Sequence, residues 1–84
     1  MVIEINEDKV RLVLNNSNKE LDSVGFRYKR DLDQKLITWL DKILKRNKID
    51  ASSIKSYKIA GNLGKESTSH KITEAFVEGL KIEA

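Results

Sequence analysis

The sequence predicts an α/β domain of the two-layer α+β type, with the element order βββαβα. Three short segments with strand-like alternation occupy the first 30 residues, and the polar turns between them favour an antiparallel meander. Two amphipathic helices separated by one further strand make up the rest of the chain. We therefore predict a single domain over residues 1–84, with a four-stranded mixed sheet of order 3-2-1-4 and both helices on one face.

The first three strands are predicted over residues 2–5, 9–14 and 20–29. Polar residues that favour turns separate them, including the cluster at residues 15–18. The side of these strands expected to face the core is apolar and includes Ile3, Ile5, Val10, Leu12, Leu14, Val24, Phe26 and Tyr28. The opposite side is largely polar, which indicates a sheet with one face in water.

The first helix is expected to be capped by Asp31, with Gln34 three residues further on as in a capping box. It ends before the polar segment at residues 47–53. Its apolar stripe spans about 160° at 100° per residue and contains Leu32, Leu36, Ile37, Trp39, Leu40, Ile43 and Leu44. That stripe is wider than one sheet face requires, which predicts a second contact with another helix or with a partner.

The fourth strand is predicted over Ile54–Gly61, parallel to an earlier strand because a helix precedes it. A Gly-containing loop follows, and a Ser or Thr at positions 67–69 is expected to cap the second helix. The apolar positions of that helix are Ile72, Ala75, Phe76, Gly79 and Leu80. Placing Ala75 and Gly79 on the buried face predicts close approach of a neighbouring element.

Composition narrows the class of protein. The net charge of +3 is spread evenly along the chain, whereas nucleic-acid binders usually concentrate their positive charge. The absence of cysteine excludes disulfides and thiolate metal sites. No apolar run approaches the ~20 residues that span a bilayer. The expectation is a soluble cytoplasmic protein without membrane contact.

The sequence predicts no catalytic residue, no metal site and no cofactor. His70 is the single histidine, and an exposed, inert role is favoured over that of a catalytic base. Gly61–Thr68 contains two glycines and a lysine, but its spacing does not match G-x-x-x-x-G-K-[ST], so a connecting loop is the favoured interpretation. Asp31 and Asp33 are explained by the helix start, and with Glu4 and Asp8 they would bind a metal only if they converged.

Four apolar segments of the chain, residues 1–5, 36–44, 54–61 and 72–80, resemble the N-terminal domain of TsaB-like proteins of tRNA threonylcarbamoyladenosine (t6A) biosynthesis. The resemblance implies the opening half of the actin-like ATPase/ribonuclease-H-like fold. It covers this whole chain but only the first part of a typical family member. The sequence departs from the family in its loop at residues 61–68, which lacks the family's Gly-Pro-Gly-Ser-Phe-Thr-Gly-like pattern. Asn6 also stands where the wider superfamily often has an aspartate.

The resemblance implies a non-catalytic protein-interaction subunit that pairs through its two helices with itself or with a TsaD-like partner in t6A modification. The expected interface residues are Ile37, Trp39, Ile43, Leu44, Ala75, Phe76 and Gly79. The alternative is a small nucleic-acid-binding module that uses the open sheet face, with Arg11, Arg27 and Lys58 as the contacts. A third possibility is a homodimer that buries the helical face or a free sheet edge.

Overall fold

The computed structural model describes residues 1–16, 19–64 and 66–83, and residues 81–83 for their backbone alone. It contains four strands, two helices and one short 3-10 turn. Their bounds are β1 Val2–Ile5, β2 Lys9–Asn16, β3 Lys19–Arg27, α1 Leu32–Arg46, the 3-10 turn Ala51–Ser53, β4 Lys58–Gly61 and α2 Thr68–Glu83. Two residues of the predicted turn at 15–18, Ser17 and Asn18, lie outside the described residues.

The sheet has the predicted order β3-β2-β1-β4. β2 pairs antiparallel with both β1 and β3, and β4 pairs parallel with β1. The mixed four-stranded α+β fold predicted from the sequence is therefore confirmed.

One hydrophobic core lies between the sheet and the helices. The register places Ile3 opposite Leu12 in one neighbouring strand and opposite Ile59 in the other. Successive strand residues point to opposite faces, so these apolar positions share the side that the helices cover. The buried core comprises Met1, Ile3, Ile5, Val10, Leu12, Leu14, Phe26, Tyr28, Leu32, Leu36, Leu40, Ile43, Leu44 and Val77.

The fourth strand is shorter than predicted, because only Lys58–Gly61 of the expected Ile54–Gly61 segment is a strand. Its parallel partner sets this limit: β1 begins at Val2, which pairs with Lys58. In the described part of the chain, residues 54–57 belong to no strand, and the N-terminal amine donates to the Ser56 carbonyl oxygen at 3.2 Å. The residue pattern at positions 54–57 could not show that this segment would pair with no strand.

The predicted capping box at the start of α1 is wrong. Asp31 occupies the N-cap position, but its side chain makes no capping hydrogen bond. Its carboxylate instead accepts a hydrogen bond from the Lys29 N–H at 3.1 Å. That bond lowers the pKa of Asp31, because a hydrogen bond to a carboxylate favours its charged form.

Helix α1 ends in a Schellman motif with an unusual residue. The Ile49 N–H donates to the Leu44 carbonyl oxygen at 2.9 Å, and the Lys48 N–H donates to the Lys45 carbonyl oxygen at 3.1 Å. Lys48 has φ of 57°, in the left-handed region where this motif usually places glycine. The helix therefore ends where the motif requires, with a residue that is strained there.

Replacing Lys48 with glycine is expected to stabilise the fold. The left-handed conformation disfavours a residue with a Cβ by about 1 kcal/mol or slightly more, and glycine removes this penalty. We expect the free energy of unfolding, measured by urea denaturation, to rise by about 0.5–1 kcal/mol. Lys48→Ala is the matched control, because it removes the same charge and keeps the Cβ, so a similar gain in both variants would contradict the explanation.

Helix α2 is rotated by part of a turn relative to the predicted stripe, of which Ile72, Phe76 and Leu80 pack against the core as partly buried residues. Thr73 is fully buried and Val77 nearly so, whereas Ala75 and Gly79 are exposed. A Cβ added at Gly79 would meet no heavy atom within 4 Å. The prediction that these two small residues lie on the buried face is therefore wrong.

Polar contacts explain this rotation of α2. The Tyr28 hydroxyl donates to the Asn6 carbonyl oxygen at 2.8 Å and shares a 2.9 Å hydrogen bond with the Ser69 hydroxyl. The Thr73 hydroxyl donates to the Ser69 carbonyl oxygen at 2.9 Å. Buried polar groups are tolerated when they are hydrogen-bonded. A pattern that counts only apolar residues therefore misses Thr73 and shifts the predicted buried face of this helix away from its true centre.

Candidate protein-interaction groove

An apolar groove lies between the two helices, and no described strand residue lines it. It has a volume of about 350 Å³. Its lining residues, which we call the helix groove, are Ile37, Leu40, Asp41, Leu44, Ala51, Phe76, Gly79 and Leu80. Asp41 is the single charged residue among them, and it forms an ion pair with Lys45 at 3.0 Å. The groove therefore presents an apolar floor with a neutralised charge at its edge.

Helical spacing brings the α1 residues of the groove together. Residues three and four apart in a helix lie on the same face, so Ile37, Leu40, Asp41 and Leu44 form one row. Leu40 and Leu44 are almost completely buried, but the Ile37 side chain is 59% exposed. Only Ile37 and Leu21 are large exposed hydrophobic residues among those described. Ile37 is thus the most accessible large apolar side chain of the helix groove.

Four of the seven predicted interface residues line this groove, and three do not. Ile37, Leu44, Phe76 and Gly79 belong to it, while Ala75 is exposed outside it. The complete burial of Ile43 in the core makes it inaccessible to a partner. Leu40, Asp41, Ala51 and Leu80 also line the groove and were missed as interface residues. The spacing of Leu40 from Ile37 could have indicated that Leu40 belongs to this face.

Trp39 lies on a different side of α1. Its ring stacks on Phe26 of the sheet, with centroids 5.9 Å apart and planes 6° from parallel. The Lys42 ammonium sits 4.5 Å from the Trp39 ring centroid, within the range of a cation–π contact. Trp39 therefore joins the helix to the sheet and does not line the groove.

Arg11 and Arg27 are diagonal neighbours on the open sheet face and line the same pocket, whereas Lys58 lies apart from them. Arg11 is held between Glu4 and Glu20, with both nitrogen–oxygen distances at 3.0 Å. Arg27 lies directly opposite Lys9 on the neighbouring strand, and Lys58 lies two strands away from Arg11, in β4. The arrangement therefore leaves Arg27 with Lys9 as the basic pair available to a ligand.

The same face lacks the stacking surface that nucleic-acid-binding sheets usually present. Phe26 and Tyr28 are buried on the helix side, as predicted. On the open face, the described residues of the strands provide charged, small and aliphatic side chains without an aromatic ring. The open face of the described strands therefore offers charged contacts to a ligand and no stacking contact.

The loop between β4 and α2 joins the last strand to the last helix. Gly61 has φ of 118°, and Ser67 Oγ accepts the His70 N–H at 3.0 Å, which caps α2 as predicted. His70 Nδ1 lies 2.6 Å from a Glu74 carboxylate oxygen, four residues further along the same helix. Lys65 lies outside the described residues. Within the described chain, no three histidine, aspartate or glutamate side chains come together as metal ligands.

Comparison of the chain with family models, with curated proteins and with solved structures finds no significant match. The resemblance to TsaB-like proteins stays a prediction that rests on the apolar segments quoted above. In the described part of the chain, no helix is long and apolar enough to cross a membrane.

Proposed function

We propose that this chain is a non-catalytic protein-interaction module that binds a partner through the helix groove. The observation that carries this proposal is the 59% exposure of Ile37 beside an apolar groove formed by both helices. Interfaces derive most of their binding energy from a few apolar anchors seated in desolvated pockets. A partner side chain in the groove would bury Ile37 and contact Phe76 and Leu80.

The resemblance adds a specific partner to this proposal. TsaB-like proteins pair through their N-terminal helices with a catalytic paralogue, so a TsaD-like protein of t6A modification is the first partner to test. The role in t6A modification rests on the resemblance alone. The groove itself supports only the more general proposal that the two helices bind a protein.

Substituting Ile37 with glutamate is expected to abolish partner binding without unfolding the chain. A charge buried at a central interface position costs about 2 kcal/mol or more, which weakens binding at least about 30-fold. The measurement is titration calorimetry with a purified TsaD-like protein, together with light scattering to detect self-association. Thr38→Glu is the matched control, because it adds the same charge at the adjacent exposed position of the same helix.

The outcomes separate the general proposal from the specific one. Binding that is lost in Ile37→Glu and kept in Thr38→Glu supports the groove. Equal binding by both variants would show that the partner uses another surface. If the TsaD-like protein does not bind and the wild type is a monomer, the t6A role is wrong, and co-purification from the source cell then tests for other partners.

The nucleic-acid alternative is favoured only by the pairing of Lys9 with Arg27. Like charges directly opposite each other on adjacent strands are destabilising, and an anion bound between them would relieve that repulsion. RNA retained at low salt by the wild type and lost in Arg27→Glu would favour this alternative over the groove.

A further inference from the structure

Strand β3 is an outer strand of the sheet, so half of its backbone groups face away from the other strands. The Tyr28 N–H donates to the Asp8 carbonyl oxygen, and Phe26 and Val24 lie opposite Val10 and Leu12. Hydrogen-bonded pairs alternate along an antiparallel ladder. The backbone N–H and C=O groups of Ser23, Gly25 and Arg27 therefore point outward. Such a row of unpaired groups is a template for pairing with another strand.

Side chains bind three of these six outward groups. Arg46 of α1 donates to the Ser23 carbonyl oxygen at 3.3 Å, and the Asp22 carboxylate accepts the Ser23 N–H at 2.8 Å. Lys35 of α1 donates to the Arg27 carbonyl oxygen at 2.8 Å. The Ser23 and Arg27 carbonyl groups are therefore both occupied by cations of the same helix.

The geometry of α1 explains how one helix reaches both ends of this row. Lys35 and Arg46 are eleven residues apart, which is a rise of about 16 Å along a helix. Ser23 and Arg27 are four residues apart, which is about 13 Å along a strand. Because Arg46 reaches Ser23 and Lys35 reaches Arg27, α1 runs antiparallel to β3 and the two spacings match.

The Arg46 contact is further anchored by Asp22. Arg46 makes two hydrogen bonds to the Asp22 carboxylate, each of 2.8 Å, and the Asn47 side-chain amide donates to the same carboxylate at 2.8 Å. These donors lower the pKa of Asp22, with the Arg46 hydrogen bond as the largest cause. A bidentate arginine–carboxylate pair fixes geometry better than a single contact does. Arg46 is therefore held in place over the strand edge.

We propose that Lys35 and Arg46 close the outer edge of β3 against a second copy of this chain, and that this edge pairs with itself when they are removed. The three outward residues are placed symmetrically about Gly25, with Ser23 two positions before it and Arg27 two positions after it. An antiparallel pair centred there places Gly25 opposite Gly25 of the second copy, and Ser23 opposite Arg27. All six outward groups of each copy face the second strand in this pairing. Removing Lys35 and Arg46 frees the two carbonyl groups, and the Ser23 N–H exchanges its contact with Asp22 for the ladder. This proposal is independent of the helix groove.

The test compares two double variants with the same net charge. Lys35→Gln/Arg46→Gln removes both cations from the strand edge, whereas Lys48→Gln/Lys55→Gln removes two exposed cations that do not line the helix groove. Light scattering over a concentration series is expected to show twice the wild-type mass for the first variant and the wild-type mass for the second. Any self-association through the helix groove would be present in all three proteins and would not affect this comparison.

Adding Gly25→Pro to the first double variant is expected to restore the wild-type mass. The Gly25 N–H points outward, so proline there removes a donor from the new ladder without removing one from the β2–β3 pairing. A folded Lys35→Gln/Arg46→Gln variant with the wild-type mass would overturn the proposal, as would a dimer that persists with Gly25→Pro. Circular dichroism establishes folding. If the double variant is unfolded, the single variant Lys35→Gln decides, because it leaves the Asp22–Arg46 contacts intact: partial dimerisation supports the proposal, and the wild-type mass at every concentration overturns it.

Discussion

Replacing Gly61 with alanine is expected to destabilise the fold by about 3 kcal/mol or more. Gly61 has φ of 118°, a conformation that residues with a Cβ rarely adopt. A Cβ at this position would lie 2.0 Å from the Ile5 carbonyl oxygen and 2.7 Å from the Ile5 carbonyl carbon and nitrogen. The contact is with backbone of the adjacent strand, so no side-chain movement can relieve it.

The size of this effect is large for so small a domain. At about 0.05–0.15 kcal/mol per residue, a chain of this length has a total stability of about 4–13 kcal/mol. Urea denaturation of Gly61→Ala measures the loss, and a variant that no longer folds meets the same expectation. Gly79→Ala is the matched control, because its Cβ meets nothing within 4 Å. It is expected to gain about 1 kcal/mol from helix propensity. Equal stability of the two variants would show that β4 does not approach β1 as described.

Replacing Ile43 with alanine is expected to destabilise the fold by about 3–4 kcal/mol. The Ile43 side chain is completely buried and belongs to the cluster formed by the sheet and α1. Its truncation removes three carbons from a closely packed core and leaves a cavity, and both effects oppose folding. The unfolding midpoint in urea should fall accordingly.

Ile37→Ala is the matched control, because it makes the same chemical change one face away on the same helix. Ile37 is 59% exposed, so its truncation is expected to change the free energy of unfolding by less than about 0.5 kcal/mol. For partner binding we expect the opposite order. Ile37→Ala weakens the binding of a partner at the groove more than Ile43→Ala does. Similar stabilities of both variants would contradict the placement of Ile43 in the core.

The sheet order could be predicted because local signals specify it. Short polar turns join the first three strands, and the helix before the fourth strand requires a parallel crossover. The bounds of β4 could not be predicted in this way, because they depend on where β1 begins. Pairing between residues 2 and 58 is a distant contact, and no local pattern at Ile54 or Tyr57 reports it.

The candidate site was predicted in part. The width of the α1 stripe correctly indicated that this helix contacts more than the sheet, and Ile37 was correctly placed at the margin of that stripe. The apolar pattern alone could not show which edge of the stripe remains exposed in the folded chain. Trp39, at the other margin, packs on Phe26, while Ile37 has no comparable cover and is largely exposed.

The sequence by itself determined the element types, the mixed sheet and the apolar content of both helices, because periodicity and turn chemistry are local properties. Only the tertiary structure decided the rotation of α2, the contacts of Lys35 and Arg46 with the β3 edge and the position of the helix groove. Each of these depends on contacts between residues far apart in the chain, such as Tyr28 with Ser69 and Arg46 with Asp22. Polar side chains in such contacts compete with the apolar pattern, so the face that a helix buries is fixed only when its neighbours are in place.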